Sequence, residues 1–295
     1  MNKKEKKIIS HKFLNKYTIP GALLLMLCGF LLCEFVIPMP ITMISGMFGI
    51  AQGNNIQDLE PVAYISAALG TFVVLAVYKR WFYPEFDGCL NGNFAETARA
   101  AVMIIPFWIL TCIKEISLGT QIQPLTIRII AASLMAGCCE ETVFRGLGIS
   151  YLMRQWKKEN KITSALLFTS VCFGLFHGMN IFSGAGIANT LIQIVSTSFI
   201  GMFLGAVFLR GGNLLPVMII HTLHDILAGL TTAEGFTLTH ALGLSDWLDM
   251  VLCIALGCAG LYLIRKEKRA GIIELWGKKW SGTVAGGVQT DVAQQ

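Results

Sequence analysis

Charge is what this sequence has least of. Only 14% of its 295 residues are Asp, Glu, Lys or Arg, against 54% hydrophobic, where an average soluble domain carries about 25% charged residues. So little charge cannot cover the surface of a water-soluble fold, which excludes an ordinary cytosolic enzyme, a secreted domain and a disordered chain. Zinc-ribbon spacing, CxxC pairs, GxSxG and HExxH are all missing. The nine cysteines are odd in number, and all but Cys89 sit in apolar stretches. They read as small packing residues and not as a disulfide framework. No repeat of 20–50 residues and no second domain is visible.

What the chain does have is long apolar runs, and a bilayer is the solvent that accepts them. Eight segments approach the length of about 20 residues that a spanning helix needs: 19–42, 61–79, 95–115, 125–150, 163–179, 187–209, 213–231 and 247–264. The first follows Lys3, Lys4, Lys6 and Lys7, but its run is too long for a signal peptide and no cleavage site follows, so it reads as a retained helix. The fold class is all-α: a polytopic membrane bundle of about eight transmembrane helices. Residues 1–18 form a basic arm, 19–264 the membrane domain, and 265–295 a tail that is partly disordered beyond Trp280.

The net charge of +5 does not point to nucleic acid, because Lys and Arg cluster at the edges of apolar segments. Lys79 and Arg80, then Arg154, Lys157, Lys158 and Lys161, then Arg210, then Arg265, Lys266, Lys268 and Arg269 fall on alternate connections. By the positive-inside rule both termini are cytoplasmic, in agreement with eight crossings. The basic arm, with His11, is expected to meet anionic lipid. Gly174 with Gly178 and Gly201 with Gly205 are small-xxx-small pairs suited to close helix packing.

Ionisable groups at mid-depth in a bilayer are costly and mark function. Glu140, Glu141 and Arg145 lie on the fourth segment, His177 on the fifth, and His221, His224 and Asp225 on the seventh. At about 1.5 Å per residue, Glu140 lies roughly 16 Å from the inner end of its helix. By the same rise His177 is roughly 21 Å, His221 roughly 12 Å and Asp225 roughly 18 Å from the start of theirs. The clusters share a depth slightly to the cytoplasmic side of the midplane and can meet in one cavity. Glu141 and Arg145 are i,i+4 partners, as are His221 and Asp225. His224 either joins the same cavity or faces a neighbouring helix. A buried carboxylate with a histidine can activate water, and a second His–carboxylate pair can stabilise an oxyanion or complete a metal's ligands. Hydrolysis inside the membrane and a transporter or proton relay fit such groups about equally.

Three polar sets carry less weight. Glu34, beside Pro38 and Pro40 near the outer end of the first helix, is expected to snorkel to the interface. His240 is expected in a solvated connection. Asn189, Gln193 and Ser196 share a face of the sixth helix and fit interhelical hydrogen bonds better than substrate binding.

Glu140-Glu141-Thr142-Val143-Phe144-Arg145 has the form EExxxR, Phe173 to His177 has FxxxH, and His221 to Asp225 has HxxxD. In this order on three apolar segments, they resemble the CAAX protease and bacteriocin-processing family of intramembrane endopeptidases, which includes the type II CAAX prenyl endopeptidases. The resemblance covers residues 95–232. It implies a membrane protease in which Glu140 and His177 activate water, His221 and Asp225 hold the oxyanion or a metal, and Glu141 and Arg145 support them. Both a metalloprotease with zinc on Glu140, His177 and His221 and a metal-free glutamate mechanism fit the resemblance. It implies a hydrophobic peptide or membrane-protein substrate, in bacteriocin processing for example, and a prokaryotic plasma membrane. The alternatives are a non-proteolytic scaffold in bacteriocin immunity or sensor-kinase regulation, and a transporter.

Overall fold

The computed structural model describes residues 12–48, 59–231 and 241–281. His11, His240, the lysines before Lys12 and the tail from residue 282 onward lie outside them. After a short turn, Lys12–Lys16, the chain forms α1 Thr18–Met47, α2 Glu60–Phe82, α3 Phe94–Ser117, α4 over residues 127–155, α5 Glu159–Ser183, α6 Ile187–Gly211, α7 Leu215–Thr231, α8 Leu244–Leu263 and α9 Lys266–Ser281. No strand occurs among the described residues. The chain is a polytopic helical membrane protein.

Six helices, α1, α2, α3, α5, α6 and α8, are long and apolar enough to cross a membrane. The other two expected spans are helical but differ in kind. α7 is apolar over 17 residues. α4 carries Arg128, Glu140, Glu141, Arg145 and Arg154, and the bundle buries Glu141 and Arg145 and half-buries Glu140 and Arg154. Its middle, Thr142–Ile149, is a π-helical stretch in which every residue is buried. α1, α2 and α5 pack on that stretch, and α7 runs along the preceding turns of α4. Placing the middle of this charged helix at the centre spares Glu141 and Arg145 from lipid, while Leu24, Leu27, Ile109, Leu110, Ile113 and Val251 on α1, α3 and α8 are exposed.

α1 runs to Met47 and so is longer than the 19–42 expected. Pro38 has no N–H to give and would break a regular helix. Here a π-helical turn, Leu32–Val36, precedes it, and the Ile37 N–H reaches back to the Leu32 carbonyl at 3.0 Å. The wider turn absorbs the proline, and the helix continues.

Close approach holds the second half together. A Cβ on Gly174 would lie 3.1 Å from the Ser198 Cβ, so α5 and α6 need glycine there; at Gly178 the nearest atom would be 3.6 Å away. α6 in turn packs along α8. At the α3–α8 end, Lys114 Nζ bonds Asp249 at 2.6 Å, Glu115 at 2.6 Å and Ser245 at 3.1 Å. At the opposite end α9, read from sequence as tail, docks as a helix. Trp276 Nε1 donates to the Leu209 carbonyl and Trp280 Nε1 to the Ser150 carbonyl, each at 3.1 Å. Lys279 Nζ donates to the carbonyls of Gly88, at 2.7 Å, and Asn91.

Candidate active site

The end of the α-helical part of α4 presents Glu140 and Glu141 in succession, about 100° apart around the axis. Glu141 is fully buried and Glu140 keeps 24% of its side chain exposed. One turn on, Arg145 donates from Nη1 to Glu141 Oε1 at 2.9 Å and from Nη2 to the Gly201 carbonyl of α6 at 3.0 Å. Its guanidinium lies over the Phe173 ring, 4.7 Å from the centroid. A charge pair this deep needs every partner it can find, and Arg145 draws on three helices.

α7 brings His221 to the same carboxylate. His221 Nδ1 lies 2.7 Å from Glu141 Oε1, and because a carboxylate accepts, Nδ1 carries the proton. Nε2 then faces two further carboxyls, Glu140 Oε2 at 3.6 Å and Asp225 Oδ2 at 3.5 Å. His221 is thus the hub: Glu141 fixes its ring, and its free edge opens between Glu140 and Asp225. The α4–α7 contact behind this is tight. A Cβ on Gly137, one turn before Glu141, would sit 2.8 Å from the Thr222 nitrogen and 2.9 Å from the Met218 carbonyl oxygen.

His177 comes from α5, where the α-helix gives way to a 3-10 stretch, His177–Ser183. Its Nδ1 donates to the Phe173 carbonyl at 3.1 Å, which leaves Nε2 as the acceptor. Phe173 ties the set together. Its ring meets His177 edge-on at 5.1 Å and His221 at 6.0 Å, and it packs on Phe144 at 5.2 Å. Gln193 of α6 accepts from Asn180 at 2.9 Å, an interhelical bond that steadies the segment after His177.

Of the residues singled out in the sequence, Glu140, Glu141, Arg145, His221 and Asp225 therefore meet directly, and His177 joins through Phe173. His224 turns instead toward α3, its ring 5.6 Å from Phe107, with Nδ1 lacking a partner, beside a cavity of about 640 Å³. Glu34 does not sit at an interface. Because α1 runs on to Met47, it lies near mid-helix, half-buried, where the Cys139 thiol donates to it and Glu140 is within electrostatic range. The sequence did carry a signal: Ala22, Met26, Gly29 and Cys33, all buried, recur at helical spacing, and Glu34 follows directly on that inward face.

Zinc finds no ready cradle. Among the described residues no three of His, Cys, Asp and Glu converge as a metal-binding group.

Residues 122–227 match the family model for type II CAAX prenyl endopeptidase, Rce1-like. The match spans α4 to α6 and most of α7, and with them every residue of the cluster except those on α1. No curated protein and no solved structure matches the chain.

Proposed function

Starting from a chain that carries an Rce1-like type II CAAX prenyl endopeptidase domain over residues 122–227, we propose that it is an intramembrane endopeptidase cutting hydrophobic peptides or the apolar ends of membrane proteins. The observation that carries this reading is the hub. One imidazole is clamped by Glu141 at 2.7 Å and opens between Glu140 and Asp225, as a carboxylate–imidazole pair poised for acid–base work does.

In this reading Glu140, the most exposed carboxyl of the first motif, takes a proton from water, and the Nε2 of His177 accepts the water's second hydrogen bond and orients it. The oxygen adds to the scissile carbonyl. His221, protonated and balanced by Asp225, donates from Nε2 to the oxyanion. As the C–N bond breaks, Glu140 passes its proton to the departing amine, which leaves carboxyl and amine products. Glu141 and Arg145 hold His221 in the donating tautomer. The bundle crosses the membrane eight times, α4 and α7 included, with both termini on the cytoplasmic side of a prokaryotic plasma membrane.

Purified protein should cleave a reporter peptide, and Glu140→Ala and His177→Ala should each reduce cleavage at least about a hundredfold while still eluting as folded protein. Unchanged cleavage in both variants sinks the reading. In this metal-free form of the reading, cleavage should also survive a chelator. Loss on chelation, restored by zinc, would return the role of Glu140, His177 and His221 to that of ligands.

A further inference from the structure

One face of α1 walls the chamber, and its character changes along its length. Leu23 and Leu27, with Met26 beside them, line an apolar cavity of about 370 Å³ shared with Val143 and Phe144 of α4 and with Cys172, Leu175, Phe176 and Met179 of α5. Phe144 packs on Phe176 at 5.7 Å and on Phe173 at 5.2 Å, and the Phe173 ring meets His177 and His221, so the cavity adjoins the catalytic cluster. Phe30 continues the wall by packing edge-on against Phe176 at 4.2 Å. Glu34 comes next on the same face, beside Cys139 and Glu140.

The charges around that end do not balance. Arg145 is spent on Glu141. Glu34, Glu140 and Asp225 remain, and among the described residues His221 is the basic group that faces Glu140 and Asp225. The other groups that face Glu34 are Cys139 and Glu140 on α4 and Tyr64 on α2; Arg128, which bonds Tyr64, is paired with Glu60 at 2.7 Å. A further vacancy lies within the cluster, where Glu141 Oε2 is buried with no hydrogen-bond partner. Buried acceptors in excess of donors ask for a donor from the ligand.

We propose that the chamber selects a peptide with an aliphatic or aromatic anchor followed by a cationic side chain, with Glu34 as the specificity-determining residue that receives the cation. The anchor fills the α1–α4–α5 cavity. From Leu27 to Glu34 the wall rises about 10 Å, a span that an extended peptide covers in about three residues. Lysine or arginine three positions from the anchor thus reaches Glu34, while acidic residues there are repelled by three carboxyls. This rests on the proteolytic reading for its substrate class, but its test does not require cleavage.

The test uses the full chain in nanodiscs, with His177→Ala in the background so that no carboxyl is lost. Binding is measured by fluorescence for three labelled apolar peptides that differ only at the third position after a leucine anchor: Lys, Gln or Glu. The Lys peptide should bind about tenfold more tightly than the Gln peptide, and the Glu peptide more weakly than either. Glu34→Gln, nearly isosteric, should abolish this ranking, and Glu34→Lys should reverse it. Leu27→Asn should weaken all three peptides alike. A ranking unchanged in Glu34→Gln overturns the proposal, as does failure of all three peptides to bind. Absence of cleavage by the wild-type protein, with the binding ranking intact, would count against the protease and not against Glu34.

Discussion

Arg145 and Glu141 form a pair with side chains 1% and 0% exposed, and the two members predict different failures. Arg145→Met leaves Glu141 buried beside His221 without its cation, the situation in which breaking a buried pair costs about 3–5 kcal/mol. Thermal unfolding in detergent should show a large loss. Glu141→Gln keeps an acceptor for His221 Nδ1 but removes the charge that favours the protonated imidazole. Folding should survive far better, while turnover falls by roughly two to four orders of magnitude, as for other carboxylates that orient a catalytic imidazole. If the glutamine variant turns over normally, Glu141 is a packing residue only. At this scale the sequence was legible because charge in an apolar run has so few explanations; EExxxR, FxxxH and HxxxD named the residues that meet. It was not legible which carboxylate clamps His221. Spacing pairs His221 with Asp225 on one helix, but the 2.7 Å contact crosses to α4, and no local pattern encodes a contact 80 residues away.

Among the elements, the α4–α7 seam decides whether the motifs meet. Gly137→Val puts atoms where the Thr222 nitrogen and Met218 carbonyl already lie, and overpacking of this kind costs about 1–3 kcal/mol. The larger effect is geometric: any outward step of α7 draws His221 from Glu141. Activity should therefore fall further than stability, whereas Gly178→Ala, whose added methyl would meet nothing closer than 3.6 Å, should leave both unchanged. Equal losses of activity and stability at Gly137 would reduce the seam to general packing. The expected spans found their helices because hydropathy reports length and apolarity well. They missed the end of α1 because proline ordinarily stops a helix, and the π-helical turn that rescues it has no hydropathy signal. Glu34 was misplaced with it.

For the molecule as a whole, α9 and the residues between α2 and α3 form one assembly braced on the catalytic helix. Lys279 bonds Gly88 and Asn91, the Asp87 N–H donates to the Lys279 carbonyl at 2.7 Å, and Trp280 stacks on Phe86 at 4.3 Å. Beneath them Cys89 donates to the Gly146 carbonyl, one residue past Arg145, at 3.2 Å. Burial pushes the Cys89 thiol up to about 12, so it should resist maleimide in the folded protein. Lys279→Met leaves two carbonyls short of a donor, at about 1–3 kcal/mol each if they stay dry, and should open this end. Cys89 labelling, followed by mass spectrometry, should then become rapid. Labelling that stays slow in Lys279→Met would show that the aromatic contacts suffice. None of this was readable beforehand, because a mixed basic and aromatic stretch after the last apolar run looks like solvated tail until the groove that receives it is known.

The brace also fixes an order of events during synthesis. Lys279 and Trp280 reach Gly88 and Ser150 across 191 and 130 residues, so those bonds cannot form until α9 has left the ribosome. The membrane helices insert and pair earlier, as N-terminal units generally do, but the Ser150 end of α4 lacks its bond from Trp280 until α9 arrives. A chain cut short before α9 would carry all three motifs and lack the clamp that steadies the helix beyond Arg145. Synthesis of α9 is thereby built into the final setting of the catalytic helix.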